Sequence, residues 1–264
     1  MNTLHAYING VGLLGPGLDN WPAARAVLTG EQAYASAKTA LPAPAPAMLP
    51  PAERRRSGPL VRVALAVGAE AGAGQDLSLL ATVFSSSGGD GVNCHELCEM
   101  LASSDRQVSP TRFHNSVHNA AAGYWSIAAG AMETASVLCA HDGSFGAGLL
   151  EALAQVVVDG VPVLLIAADT AYPEPLRSAR PIPDEFGVGL LLSPRRGPNS
   201  IACISAVLSG LDGSRMGSPL LEALRGAIPA ARCLPLLQAI ARGETASLVL
   251  DYLEHSRLAI EVTP

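Results

Sequence analysis

Apolar positions in this chain fall into two rhythms that alternate along most of its length. Residues 4–14, "LHAYINGVGLL", read as a first strand, and "GPGLDN" then turns the chain into a short helix over 21–30, "WPAARAVLTG". Trp21-Pro22 after Asn20 suits a helix start, because proline at an early helical position gives up an N–H that has no partner there. Residues 35–58 are rich in Pro and Ala and predict an extended surface excursion, in which Ala52-Glu53-Arg54-Arg55-Arg56 reads as a solvated helix start or an interaction patch. "LVRVALAVGAEAGAG" (60–74) has helical spacing with a small-residue face suited to close packing on a sheet. "LSLLATVFSSSGGDG" (77–91) is a strand entering a Gly/Ser turn, and "NCHELCEMLAS" (93–103) is an amphipathic helix.

"VSPTRFHNSVHNAAAGYWSIAAGA" (108–131) begins as a loop, becomes a helix and loosens at Gly130. Residues 136–169, "SVLCAHDGSFGAGLLEALAQVVVDGVPVLLIAAD", then give a buried strand, a sharp turn, a buried helix and a second buried strand. "EFGVGLLLSP" (185–194) and "SIACISAVLSG" (200–210) predict two more strands. Beyond them "SPLLEALRGAI" and "LPLLQAIARG" predict helices, and 245–262 predict a hairpin turning near Glu254-His255-Ser256.

Composition sharpens this reading. Apolar residues make up 49% of the 264 but aromatics only 4%, so Ala, Val, Leu and Ile must fill the core in close-packed layers of helix and sheet. With 17 basic against 23 acidic residues and no basic stripe interleaved with aromatics, nothing tracks a phosphate backbone, and no nucleic-acid partner is expected. The five cysteines form no even framework, which predicts a reducing, cytoplasmic setting with Cys residues packed as small hydrophobes. The first residues carry no basic leader or cleavage signature, and no apolar run reaches the length of a spanning helix, so no transmembrane segment is expected.

The order of these segments resembles the β-ketoacyl synthases of the thiolase fold. "YINGVGLLGPGLDNWPAARAVLTG" looks like their opening strand, Gly-x-Gly turn and helix, and "FSSSGGDG" is similar to their Gly/Ser turn. Ser109-Pro110, Asn119, Ala122-Gly123 and Gly130 match a further segment, and "DEFGVGLLLSP" resembles the strand that ends the first half. The resemblance implies one domain over 1–264, a thiolase-like layered α/β/α sandwich. Its first half (1–210) is intact and its second half (211–264) is abbreviated.

In that family the turn after the buried strand carries a nucleophilic cysteine at a helix start, where backbone amides favour the thiolate. An ungapped match puts that position on Asp142, or on Gly143 if the register slips by one, and Cys139 is expected to face the core. The catalytic histidines of the family's second half have no counterpart, His255 being the one histidine beyond residue 210. The resemblance therefore implies a chain without catalytic residues or cofactor, similar to the chain length factor that pairs with an active synthase in aryl-polyene and type II polyketide systems. The expected partners are an active β-ketoacyl synthase subunit in a heterodimer and, through that complex, an acyl carrier protein. An abbreviated second half predicts sheet and helix surface that such a partner would cover. Family dimers pair through the strand before the turn, here "ASVLCAH", and the acyl-tunnel or interface residues implied are Val108, Arg112, Phe113, Val117, His118, Val137 and Cys139.

Other chemistry competes for the same residues. Asp142-Gly143-Ser144-Phe145-Gly146 is one substitution from a G-x-S-x-G elbow, which predicts a serine hydrolase or acyltransferase using Ser144 with His255 and one of Asp169, Asp184, Asp212 or Asp251. A plainer reading has Asp142 capping the helix. The adjacent His141 and Asp142, if on a strand, would point opposite ways. Cys94/Cys98 and His114/His118 each sit four apart, half a zinc site at best, so no metal is expected. "GVGLLGPG" from Gly10 to Gly17 loosely fits a dinucleotide turn but lacks the acidic residue that would close it.

Overall fold

A computed structural model describes residues 3–45 and 47–264. Its strands are β1 (Leu4–Leu14), β2 (Ala81–Ser85), β3 (Ala135–Leu138), β4 (Val163–Asp169), β5 (Phe186–Ser193), β6 (Ala202–Ser209), β7 (Ala246–Leu253) and β8 (Ser256–Thr263). Its helices are α1 (Trp21–Thr29), α2 (Pro51–Arg56), α3 (Pro59–Ala71), α4 (Gly91–Ala102), α5 (Pro110–His114), α6 (Ala120–Ala129), α7 (Ser144–Val158), α8 (Leu176–Ala179), α9 (Pro219–Ala227) and α10 (Leu234–Arg242). Each element named from the hydrophobic pattern is present, but β3 is not the buried strand expected: it lies at the sheet edge, with Ala135 exposed and Ser136 to Leu138 half-buried. The excursion runs extended to Ala45, its position 46 lying outside the described residues, and Glu53 to Arg56 do form a short solvated helix.

All eight strands join one sheet in the order β3-β2-β4-β5-β1-β6-β8-β7. Strands β3, β2 and β4 are parallel, and every other pairing is antiparallel. The two predicted strands that follow each other at 185–210 are therefore not neighbours, since β1 lies between them. Strand β4, "VLLIAAD", shows why continuous apolar runs are central strands. Val163, Leu165 and Ala167 enter the core on one face, whereas Leu164, Ile166 and Ala168 enter the core on the other.

Helices α3 and α6 cover the second face. Helix α3 crosses β1 and β5 so closely that a Cβ on Gly10, Gly12 or Gly189 would collide with its backbone carbonyls. The glycines of "GVGLL" are thus packing glycines, and the dinucleotide reading of that stretch falls away. Helix α7 lies on the opposite face, with β2 and β4 on one side of it and β7 on the other. The structure is the thiolase-like layered α/β arrangement, with the part beyond Ile201 reduced to β6, β7, β8, α9 and α10.

The β6-β8-β7 wing buries one face only. Ile204, Ala206, Leu248, Leu250, Leu258, Ile260 and Val262 point inward, and of the alternate register rows Ser205-Glu261-Ser247 is polar and Val207-Ala259-Val249 apolar.

Candidate functional site

Strand β3 ends at Leu138, and the chain then reverses through a tight 3-10 turn at His141–Gly143 into α7. His141 is the one non-glycine residue with positive φ (50°) among the described residues, so the backbone bends hardest one residue before Asp142. Three contacts fix this bend. The buried Ser144 hydroxyl donates to the His141 carbonyl at 2.7 Å and accepts the Ala140 N–H at 3.0 Å. Ser85, at the end of β2, donates its hydroxyl to the Ser144 carbonyl. Finally, Gly143 and Gly146 admit the backbone of β7, because a Cβ on either would meet the Tyr252 or Asp251 carbonyl oxygen.

Asp142 does not cap α7, whose N-terminus has no side-chain cap. Its carboxylate is instead drawn outward by two guanidinium groups, accepting from Arg180 at 2.7 Å and from Arg232 at 3.0 Å. Arg232 also faces Asp251 at 3.6 Å, and Asp251 accepts from Arg225 at 2.7 Å. Arg225 in turn donates twice to Glu222, holding that carboxyl well below its usual value, at about 2. A chain of alternating charges therefore runs from the turn along β7 to α9. His141 Nδ1 comes within 3.4 Å of Asp142, because both residues lie in a 3-10 turn and not on a strand; the expectation that they diverge is corrected.

The serine-hydrolase arrangement has no support in this geometry. Both partners of the Ser144 hydroxyl are backbone groups. His255 stands 91% exposed at the tip of the β7–β8 hairpin, facing Glu254. Asp169 is fully buried, accepting the N–H groups of Ser87 and Ala230 at 2.8 Å each, and burial pushes its carboxyl up. Asp184 bonds to Thr39 and the Glu185 amide, Asp212 lies in an exposed loop, and Asp251 is held by Arg225.

Cys139 differs from expectation. It lies past the end of β3 and is exposed, its thiol 3.3 Å from the Ser87 carbonyl, which also accepts from Arg180 at 3.4 Å. Of the five cysteines, only Cys233 is fully buried. His114 ends α5 edge-on to Tyr124, while His118 lies in the turn beyond, so these two imidazoles do not share a helix face.

The residues named for tunnel or interface separate into neighbouring places. Phe113 and Val117 line an apolar surface cavity of about 500 Å³ with Pro110, His114, Tyr124 and Ile127. Phe113, Val117 and Ile127 are 70%, 54% and 51% exposed, large for apolar side chains. His118 and Val137 line a separate void of about 10 Å³ with Phe84 and Ala168, room for one water at most. Arg112 pairs with Glu96 on the adjoining side of α5, and Val108 is half-buried in the segment leading to it. Strand β3 is the edge of the sheet, so its outer N–H and C=O groups face away from the fold. Sequence reasoning missed Arg180, Arg232 and Tyr252. The two arginines reach Asp142 from 38 and 90 residues away, distances at which no local pattern gives a signal.

Comparison with known proteins fits this geometry. The family described as "Beta-ketoacyl synthase, N-terminal domain" matches residues 29–217. Among solved structures, the ketosynthase (ApeO) in complex with its chain length factor (ApeC) from Xenorhabdus doucetiae is similar at 24% identity, covering 98% of this chain and 99% of that one, with a TM-score of 0.73. The ishigamide ketosynthase/chain length factor is 14% identical over 97% of this chain and 98% of that one, TM-score 0.72. A type II PKS acyl-carrier protein in complex with its ketosynthase bound to the hexaketide gives 12% identity, 99% coverage of both chains and a TM-score of 0.74. No curated protein matches the sequence.

Proposed function

The chain belongs to the β-ketoacyl synthase family, and we propose that within it the protein is a non-catalytic, chain-length-factor-like subunit that pairs with an active ketosynthase in polyene, polyketide or fatty-acyl elongation. The observation that carries this reading is what the turn before α7 offers in place of a nucleophile. An acyl-enzyme needs a free nucleophile. Here the Ser144 hydroxyl at the helix start is buried and bonded to backbone, and the surface cavity of about 420 Å³ beside the turn is lined by His141, Asp142, Gly143, Arg232, Tyr252 and Arg257 among others, with no cysteine or serine in its lining. The Asp142 carboxylate is neutralised by two arginines, a poor nucleophile in a fixed position.

Pairing has its own support. The free edge of β3 lies in the same sheet as the strands that carry the turn, and Phe113, Val117 and Ile127 on and between α5 and α6 form an exposed apolar group around one cavity. We assign Val137 and Cys139 at the edge, and Phe113, Val117, His118, Val108 and Arg112 around α5, to the face that meets the partner and bounds its acyl tunnel. The active subunit supplies the cysteine and histidines, and an acyl carrier protein delivers the chain to it. The whole of 1–264 acts as one synthase-like unit, and its free cysteines suit a cytoplasmic setting. Among the described residues no helix is long and apolar enough to cross a membrane.

Co-expression with the cognate full-length ketosynthase tests the pairing. A stable complex of one copy of each, seen by light scattering on a sizing column, is the expected result. A ketosynthase that stays a homodimer while this chain elutes alone would refute it.

A further inference from the structure

Helix α4 presents a pair of nucleophilic groups that neither the turn nor the apolar cavity uses. Asp90 starts this helix by accepting the Asn93 N–H at 3.0 Å, which sets its phase, so that Cys94 and Cys98 lie one turn apart on one face. Both are exposed and free of any disulfide. The polar groups nearby are engaged elsewhere. His95 Nε2 faces Glu99 at 3.4 Å, Glu96 pairs with Arg112, and Asp90 is the helix cap.

This inventory decides which ligand the pair could take. Among the described residues there is no group of three or more His, Cys, Asp and Glu arranged to hold a metal ion. Tetrahedral zinc and iron–sulfur clusters, which need about four protein ligands, therefore lack their shell, and the half zinc site suggested by the spacing stays a half site. Two exposed thiols one helical turn apart on one face match a soft ion that is satisfied by two sulfur ligands, and thiolates select monovalent copper among the biological metals.

We propose that Cys94 and Cys98 form a two-coordinate thiolate site for Cu(I). On binding, each thiol releases its proton to solvent and each sulfur forms one bond to copper; no electron is transferred. The site is independent of the pairing with a ketosynthase.

Anaerobic titration of the reduced full-length chain with Cu(I) against bicinchoninate tests the assignment in wild type, Cys94→Ser, Cys98→Ser and Cys139→Ser. The wild type should withdraw one copper per chain. Either α4 variant should lose affinity on the order of 100-fold, since one sulfur cannot chelate, and Cys139→Ser should bind as wild type does. Matching circular dichroism spectra will verify that the exposed substitutions leave the fold intact. A wild type that fails to compete, binding retained in both α4 variants, or binding lost in Cys139→Ser would each overturn the site.

Discussion

Gly143 shows how one residue decides what the turn can do. Its missing Cβ lets the Tyr252 carbonyl press against the start of α7, which seats the β7–β8 hairpin on the turn. Gly143→Ala forces the hairpin off α7 and should cost about 3 kcal/mol. Gly197→Ala, where a Cβ meets nothing within 4 Å, should stay within about 0.5 kcal/mol of wild type. Urea denaturation of both variants checks the contrast, and equal costs would mean that β7 does not bear on the turn. A second residue couples stability to pH. Burial, with the Asp184 carboxyl beside it, raises Glu185 to about 7. Burial also raises Asp184, but hydrogen bonds from Glu185 and Thr39 outweigh it and hold that carboxyl low. A carboxyl whose folded pKa exceeds its unfolded one binds its proton more tightly when folded. The stabilisation from Glu185 is therefore complete below its unfolded value, about 4.3, and is lost as pH rises to about 7. Any loss due to Asp184 falls below about pH 4. Glu185→Gln should accordingly raise the melting temperature at pH 8 and flatten its fall between pH 5 and 8, measured by calorimetry; an unchanged slope would exclude this group as its source.

At the scale of elements, the edge strand and the two helices beside it carry the proposed interface. Phe113 is so exposed that Phe113→Asp should leave the stability of the isolated chain within about 0.5 kcal/mol, while weakening the complex with the ketosynthase about tenfold or more. Calorimetric titration of the two subunits measures the second effect, and an unaltered affinity would move the interface away from α5. Elements are also what the sequence made legible. Period-two and helical spacings sufficed to find β4, β5, α3, α7 and the β7–β8 hairpin, because those patterns record which faces are buried. The turn itself was legible only as a turn. Cys139 was expected to face inward because the strand was read as buried and three residues too long, to His141, and Asp142 was read as a cap because Arg180 and Arg232 come from distant segments. The coverage of α7 by β7 was hidden for the same reason, since strand order in a sheet is set by tertiary packing, which no local periodicity encodes.

At the scale of the molecule, the abbreviated second half does two things. Its β6-β8-β7 wing extends the sheet, and its hairpin and arginines pack on the turn before α7. The β3 edge and the apolar cavity over α5 and α6 stay open on the side where the proposed partner would complete the assembly. In the role proposed above, such a subunit would shape a tunnel and stabilise its neighbour without holding the growing chain. Intact-mass spectrometry of the reconstituted complex after exposure to an acyl-loaded carrier protein tests that claim most directly. The account predicts an acyl adduct on the ketosynthase and an unmodified mass for this chain; an adduct on this chain, mapped to Ser144, His141 or Cys139, would contradict it.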